Sequence, residues 1–413
     1  MRQIGMGVVG WGFMGKTHTH ALREMGLFYS EADFRPVLEC VCTRRLEVAR
    51  QAAQDAGFAH YTDDFDQLLA MPQVEAVSIC TPNALHLPMA LKALEAGKHV
   101  YIDKPLAMSL EEALRIQQAV ERTGLTLQVA HNNRFFPAML RARQLVEQGR
   151  VGQVLSFRCD YLHSGSVDAS RPAGWKMSSQ GGVLLDLASH AADLILWLAG
   201  PVKEVCCRTR LLYAQRPASG GGQTTDLGED QVLALMRLEN GALGTLEASK
   251  IATGTDDELS FELYGDKGAL RWRSMEADYL YFFDNTRPEA PLGGERGFQR
   301  LSCGARYPWP GGQFLPVTNT IGWDRAHMHC YFSFLNALVH GLPVSPGIGE
   351  AVVLHRLMDA MKLSSQTRAG YPCNRRPAPD VQGVRGRAKP GPLPAALPPG
   401  QSAQSTSERG YPP

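Results

Sequence analysis

A short apolar run at residues 4–9 breaks into Gly10-x-Gly12-x-x-Gly15, and an amphipathic stretch follows with Ala21, Leu22 and Met25 three or four apart. Strand, glycine turn and helix opening, in that order, leave few folds open. Gly10 allows the tight turn, Gly12 lets a pyrophosphate approach bare backbone, and Gly15 lets the helix lie close on the strand. The free N–H groups of the helix's first turn face the same space and favour an anion there. Glycines also mark ordinary turns. Their place directly after an apolar run is what points to a dinucleotide site, with Phe13 and Met14 beside it.

The same grammar then repeats. Residues 36–42, 76–80, 99–102 and 126–130 read as strands, and residues 46–56, 85–96 and 109–123 as helices. Ser109 with Glu112 forms a capping box at the start of the last helix. Regular alternation predicts a parallel sheet flanked by helices. In such sheets ligands sit beyond the carboxyl ends of the strands. Thr81, Asn83, Asp103, Lys104, His131 and Asn132 all fall there. After the second strand an acid would bind the 2′-hydroxyl of NAD, whereas arginine accepts the 2′-phosphate of NADP. Thr43-Arg44-Arg45 stands at that turn. The expected cofactor is therefore NAD or NADP, with a lean to NADP.

Beyond residue 151 the pattern changes. Strand-like runs at 154–161, 202–212, 231–238, 242–249, 259–264, 269–272 and 279–283 are separated by turns such as Asn240-Gly241. They predict a large, mainly antiparallel sheet. Residues 288–316 read as a long loop, and 323–339 and 349–367 as closing helices. The expected division is an α/β dinucleotide-binding domain at 1–130, an α+β substrate-binding and oligomerisation domain at 131–373, and a disordered Pro/Gly-rich tail at 374–413.

Two groups of residues could do chemistry. Lys104 sits between an acid and a proline at a strand end, where it can position a hydroxyl or move its proton. Asp186 and His190 are four apart in a helix over 183–198 and share a face, so the Asp can orient the His. A surface lysine and a structural Asp–His pair are the plainer alternatives. No third ligand has metal-site spacing, and no metal is expected.

Formal net charge is +1, so no large field points to nucleic acid or an anionic membrane. The longest apolar helix candidate, 181–200, contains Asp186, His190 and Asp193, which is wrong for a membrane span. The first residues carry no signal-peptide pattern, and the nine cysteines form no Cys-x-x-Cys pair. Reduced thiols and a cytoplasmic protein are expected.

Four motifs now stand in order: Gly10-x-Gly12-x-x-Gly15; Cys80-Thr81-Pro82-Asn83-x-x-His86; Asp103-Lys104-Pro105; and the Gly-Gly-x4-Asp-x3-His run ending at His190. Over about residues 3–370 the chain resembles the Gfo/Idh/MocA oxidoreductases. The resemblance implies an N-terminal Rossmann domain and a C-terminal α+β domain whose open sheet face builds homodimers or homotetramers. It implies hydride exchange between a sugar or polyol secondary alcohol and a nicotinamide. It makes Lys104 the catalytic lysine, with Asp186 and His190 as partners. It sets Thr81, Pro82, Asn83 and His86 by the nicotinamide half of the cofactor, Asp103 at its ribose, and Asn132 and Arg134 after the last Rossmann strand. Trp175-Lys176 would lie over the sugar, and Lys176, Asp324 and His327 are candidates to bind ring hydroxyls.

The chain departs from the family pattern at Asp103, where Glu is usual, at Asn133, often Tyr, and at Gln180, the first glycine of a usual triplet. Within the family, Gly12-Phe13-Met14-Gly15-Lys16-x-His18 and the long loop before Ile321-Gly322-Trp323 resemble the branch of levoglucosan and glucoside 3-dehydrogenases. Two other functions fit the same fold. One is a glycosidase that oxidises its sugar transiently on bound NAD. The other is a non-catalytic sugar- and dinucleotide-binding regulator, against which the presence of Lys104, Asp186 and His190 argues.

Overall fold

Six strands from the first 130 residues pair in parallel. They are β1 (Arg2–Val9), β2 (Phe34–Cys42), β3 (His60–Thr62), β4 (Ala76–Ile79), β5 (His99–Ile102) and β6 (Leu127–Val129), in the order β3-β2-β1-β4-β5-β6. The central strands are buried and apolar, as a sheet covered on both faces requires. The order reverses between β1 and β4, so a crevice opens beyond their carboxyl ends. The computed structural model describes residues 1–373; the tail expected at 374–413 lies outside them.

The glycine turn is built by close approach. Gly10 has φ +95°, and a Cβ there would lie 2.5 Å from the carbonyl oxygen of Cys80. A Cβ on Gly15 would lie 2.0 Å from the carbonyl oxygen of Gly10. Helix α1 (Phe13–Phe28) can therefore start only if both are glycine. The helices α2 (Leu46–Ala56), α3 (Phe65–Ala70), α4 (His86–Glu95) and α5 (Leu110–Thr123) complete the alternation. At the start of α5 the Ser109 hydroxyl accepts from the Glu112 N–H at 3.2 Å, and the Glu112 carboxylate accepts in return from the Met108 N–H, one residue earlier than expected.

After α6 (Pro137–Glu147) comes a nine-stranded sheet. Its main strands are β7 (Val154–Leu162) and β8 (Val202–Arg210). After a two-residue pair, β9 (Arg216–Pro217) and β10 (Gln223–Thr224), follow β11 (Gln231–Leu238), β12 (Leu243–Ser249), β13 (Glu258–Gly265), β14 (Gly268–Arg273), β15 (Tyr279–Asp284) and β16 (Gln299–Ser302). With a last short strand, β17 (Tyr371–Pro372), the order is β16-β15-β14-β13-β7-β12-β11-β8-β17. Only β7 and β12 run parallel, so the sheet is mixed and mostly antiparallel. The loop expected at 288–316 holds β16, which no strong alternation marked.

Beyond β16 and the unmarked β3, α3, α6, β9, β10 and β17, two features differ from expectation. The helix expected over 183–198 has a short α-helix, α7 (Ser189–Leu194), between π-helical turns at Leu184–Ala188 and Ile195–Ala199. The expected cut after residue 130 is also crossed. Helix α8 (Trp323–His340) returns to the first sheet, where Met328, Tyr331, Phe334 and Leu335 share a core with Ile4, Met6 and Val8. Helix α9 (Ile348–Thr367) bridges both cores, through Ala351 and Val352 on one side and Leu354, Leu357 and Met361 on the other.

Candidate active site

Beyond the ends of β1 and β4 lies a cleft of about 1470 Å³, lined by Gly10, Gly12, Phe13, Met14, Thr43, Arg44, Thr81, Pro82 and Asp103. Gly12 has no atom within 4 Å of where its Cβ would stand, so its backbone faces open space. The cradle fits a dinucleotide: bare backbone at the turn, α1 opening toward it, and Arg44 exposed at the ribose end beside Asp63. Gly15 lies under the turn. Arg45 is exposed just before α2 and is not part of the lining. His86 also lies outside it. The ring is buried with its nitrogens 2.8 and 3.0 Å from the carbonyl oxygens of Pro105 and Thr81, so it holds two strand-end loops together.

A second cleft, of about 740 Å³, joins the first through Phe13, Met14, Asp103, Trp175 and Lys176, which line both. Lys104, Asp186, His190, Asn83, Asn132, Trp323 and His327 line it too. Lys104 Nζ donates to Asp186 Oδ1 at 2.9 Å and also to the Asp186 backbone carbonyl. β5 delivers the lysine and the π-helical turn delivers the aspartate, so the two domains meet at this pair. Asn132 Nδ2 and both ring nitrogens of His327 are buried without a protein partner among the described residues, which leaves them for a ligand. Asp324 does not join them. It is exposed on the first turn of α8 and outside the lining, because α8 turns His327 inward from that register.

The expected Asp–His pair is corrected. No hydrogen bond joins Asp186 to His190 among the described residues. Asp186 is turned to three ammonium groups: Lys104 and Lys176 at Oδ1, 2.9 and 3.3 Å away, and Lys250 at Oδ2, 2.9 Å away. The π-helical turn widens the spacing that an α-helix would give positions four apart, and the carboxylate follows the positive charge. His190 is held by another residue: Asn133 Nδ2 donates to its Nδ1 at 3.1 Å. The next residue, Arg134, is buried and bonds to Asp193 at 2.6 and 2.7 Å, which secures the turn carrying both asparagines.

Charge is distributed accordingly. Burial would push the Asp186 carboxyl up, but Lys104, Lys250 and Lys176 together hold it well below the carboxylate range. Burial lowers the Lys104 ammonium while Asp186 opposes that shift. Burial, with Lys104 nearby, holds His190 well below its usual range and therefore neutral. The site thus sets an ionised carboxylate, a destabilised ammonium and a neutral imidazole around one space, the arrangement of a proton-transfer centre.

Sequence reasoning missed Asn133, Tyr161, His163, Lys250 and Asp257. Tyr161, His163 and Asp257 line the second cleft, and His163 Nε2 lies 2.8 Å from Asp257 Oδ1. Tyr161, His163 and Lys250 stand at or just past the ends of β7 and β12. The strand-end rule that found Lys104 would have found them, had it been applied to the second sheet.

The chain matches two family models: an oxidoreductase family with an NAD-binding Rossmann fold over residues 4–131, and the GFO/IDH/MocA C-terminal domain over residues 139–271. It is 31% identical over 378 residues to levoglucosan dehydrogenase of Pseudarthrobacter phenanthrenivorans, covering 87% of this chain and 96% of that protein. It is 29% identical over 223 residues to the NAD(+)-dependent scyllo-inositol 2-dehydrogenase of Bacillus subtilis, covering 54% of this chain and 62% of that one. Among solved structures it is similar to levoglucosan dehydrogenase in complex with NADH and levoglucosan, with a TM-score of 0.85 and 30% identity, over 90% of this chain and 99% of that chain.

Proposed function

The chain belongs to the Gfo/Idh/MocA family of NAD-binding sugar and polyol dehydrogenases, and from that premise we propose that it oxidises a secondary alcohol on a pyranose, anhydrosugar, glucoside or inositol ring. The observation that carries the reading is the Lys104–Asp186 pair, set beside His190 in a cleft continuous with the glycine-turn cavity. A nicotinamide dinucleotide, when bound, supplies the hydride acceptor.

The chain's own residues do the rest. Lys104 gives two N–H bonds to Asp186, so its neutral amine keeps a lone pair for the proton of the substrate hydroxyl. His190 accepts at Nδ1 from Asn133, so the neutral ring carries its proton on Nε2 and donates to the same oxygen. Trp175 offers an apolar face to the ring C–H bonds, and Lys176 and His327 bind hydroxyls. At the far end, Thr43 and Arg44 support use of NADP as well as NAD, with Asp63 opposing the phosphate's charge. The described cysteines are all unpaired, and among the described residues no helix is long and apolar enough to cross a membrane. The unpaired thiols support a cytoplasmic enzyme. Leu233, Leu235 and Leu243 are exposed on one face of β11 and β12, which supports a homodimer or homotetramer through that sheet.

A panel of anhydrosugars, glucosides and inositols with NAD and with NADP tests the reading. Reduced cofactor formed with a ring alcohol supports it. Free sugar released from a glycoside without net reduced cofactor would identify a transiently oxidising glycosidase instead.

A further inference from the structure

Asp186 faces more positive charge than one catalytic lysine requires. Lys250 Nζ bonds to Oδ2 at 2.9 Å, the mirror of the Lys104 contact to Oδ1, and the two lysine side chains are equally covered at 13% exposure. The same Nζ reaches the carbonyl oxygen of Lys176 at 3.3 Å. It thereby ties down the short 3-10 turn, Trp175–Met177, that carries two cleft residues. Lys250 is the first residue after β12, and it lines neither the catalytic cleft nor the dinucleotide cleft. It is built to act on Asp186 and not on a ligand.

We propose that Lys250 is a positioning residue that sets the basicity of Lys104 by taking a share of the Asp186 charge. The inference rests on the dehydrogenase reading of the site. A carboxylate that faces one ammonium alone holds that ammonium protonated; a second ammonium on its other oxygen divides the field. Lys104 must lose its proton to accept another, so undivided attraction to Asp186 would keep it inactive at neutral pH. The other groups that bear on these charges are Asp103, Lys176, His131, His190, Asp257 and His327 around Lys104, Tyr161 beside Asp186, and Glu229 near Lys250. None of these except Lys176 bonds to the Asp186 carboxylate, and Lys176 is half exposed at 49%. Removing the Lys250 charge strengthens the negative field on both Lys104 and His190. Lys104 then holds its proton more tightly, so the pH at which it becomes able to accept the substrate proton moves up.

The test compares wild type, K250M and K250R as full chains. Two readouts are taken: the pH profile of kcat/KM, and an NMR titration of the Lys104 side chain with 13C-labelled lysine, assigned through K104R. In K250M the acidic limb and the Lys104 midpoint move up together by about one pH unit, while dinucleotide affinity stays unchanged. K250R, which keeps the charge, returns both to the wild-type position. If K250M does not fold, K250Q carries the same expectation. An unmoved Lys104 midpoint in the charge-free variant overturns the proposal, as does an equal shift in K250R, which would mark a packing role. Absence of turnover on every sugar would instead overturn the dehydrogenase reading, and the titration would still decide the role of Lys250.

Discussion

At the residue scale, Asn133 and His190 define a small device. The Asn133 amide donates to the imidazole Nδ1 at 3.1 Å, which fixes the ring's tautomer. That role was not legible in the sequence, because the two residues lie 57 positions apart and meet only when the domains pack. Lys104 was legible, since a strand end in a parallel sheet is a place where function gathers. The Asp186–His190 spacing was legible too, but its meaning was not: three ammonium groups from separate loops outcompete an imidazole for the carboxylate. Replacing Asn133 with Ala removes one hydrogen bond, worth about 0.5–1.5 kcal/mol net. The expected result is a kcat lower by about 2- to 13-fold with dinucleotide affinity unchanged, read by steady-state kinetics and nucleotide titration. An unchanged kcat would detach Asn133 from the chemistry.

At the element scale, the glycine turn is the most demanding piece of backbone. A methyl group on Gly15 would be driven into the carbonyl of Gly10, which is backbone and cannot swing aside as a flexible side chain would. Gly15→Ala is expected to cost about 1–3 kcal/mol in chemical denaturation and to abolish dinucleotide binding, because the start of α1 moves away from the strand. Binding retained at wild-type strength would mean that the turn tolerates the displacement. The longer strands of both sheets and most helices could be read from periodicity, because each has one face to bury, whereas β3, β17, α3 and α6 were not marked. The π-helical turns flanking α7 could not, since they share the apolar pattern of an α-helix and differ only in how its turns are wound. β16 was missed because a four-residue edge strand carries little pattern.

At the scale of the whole molecule, the two sheets share their closing helices, and several histidines are locked into the cores between them. Burial holds His18 down to about 4, and His329 and His355 down to about 3. Each ring is neutral when folded but takes a proton below about 6.5 once unfolded. Their contribution to stability is therefore complete above about pH 6.5 and is lost progressively as the pH falls toward 4 and 3. The melting temperature should drop steeply on acidification below pH 6.5, and His355→Leu should make that drop shallower. A melting temperature flat from pH 7 to about 4 would contradict the burial of these rings. The return of α8 to the first sheet lay beyond sequence reading for a physical reason. Its alternation announces an apolar face but not which of two sheets that face will cover.

In the proposed reaction Lys104, drawn to Asp186 and set beside the dinucleotide cleft, handles the substrate proton. The most direct measurement is the single-turnover rate of cofactor reduction by wild type and Lys104→Met with the best sugar of the panel, alongside the dinucleotide Kd of each. The expected rate is lower by about 10²- to 10⁴-fold in the variant with Kd essentially unchanged. Equal rates in the two proteins would contradict it.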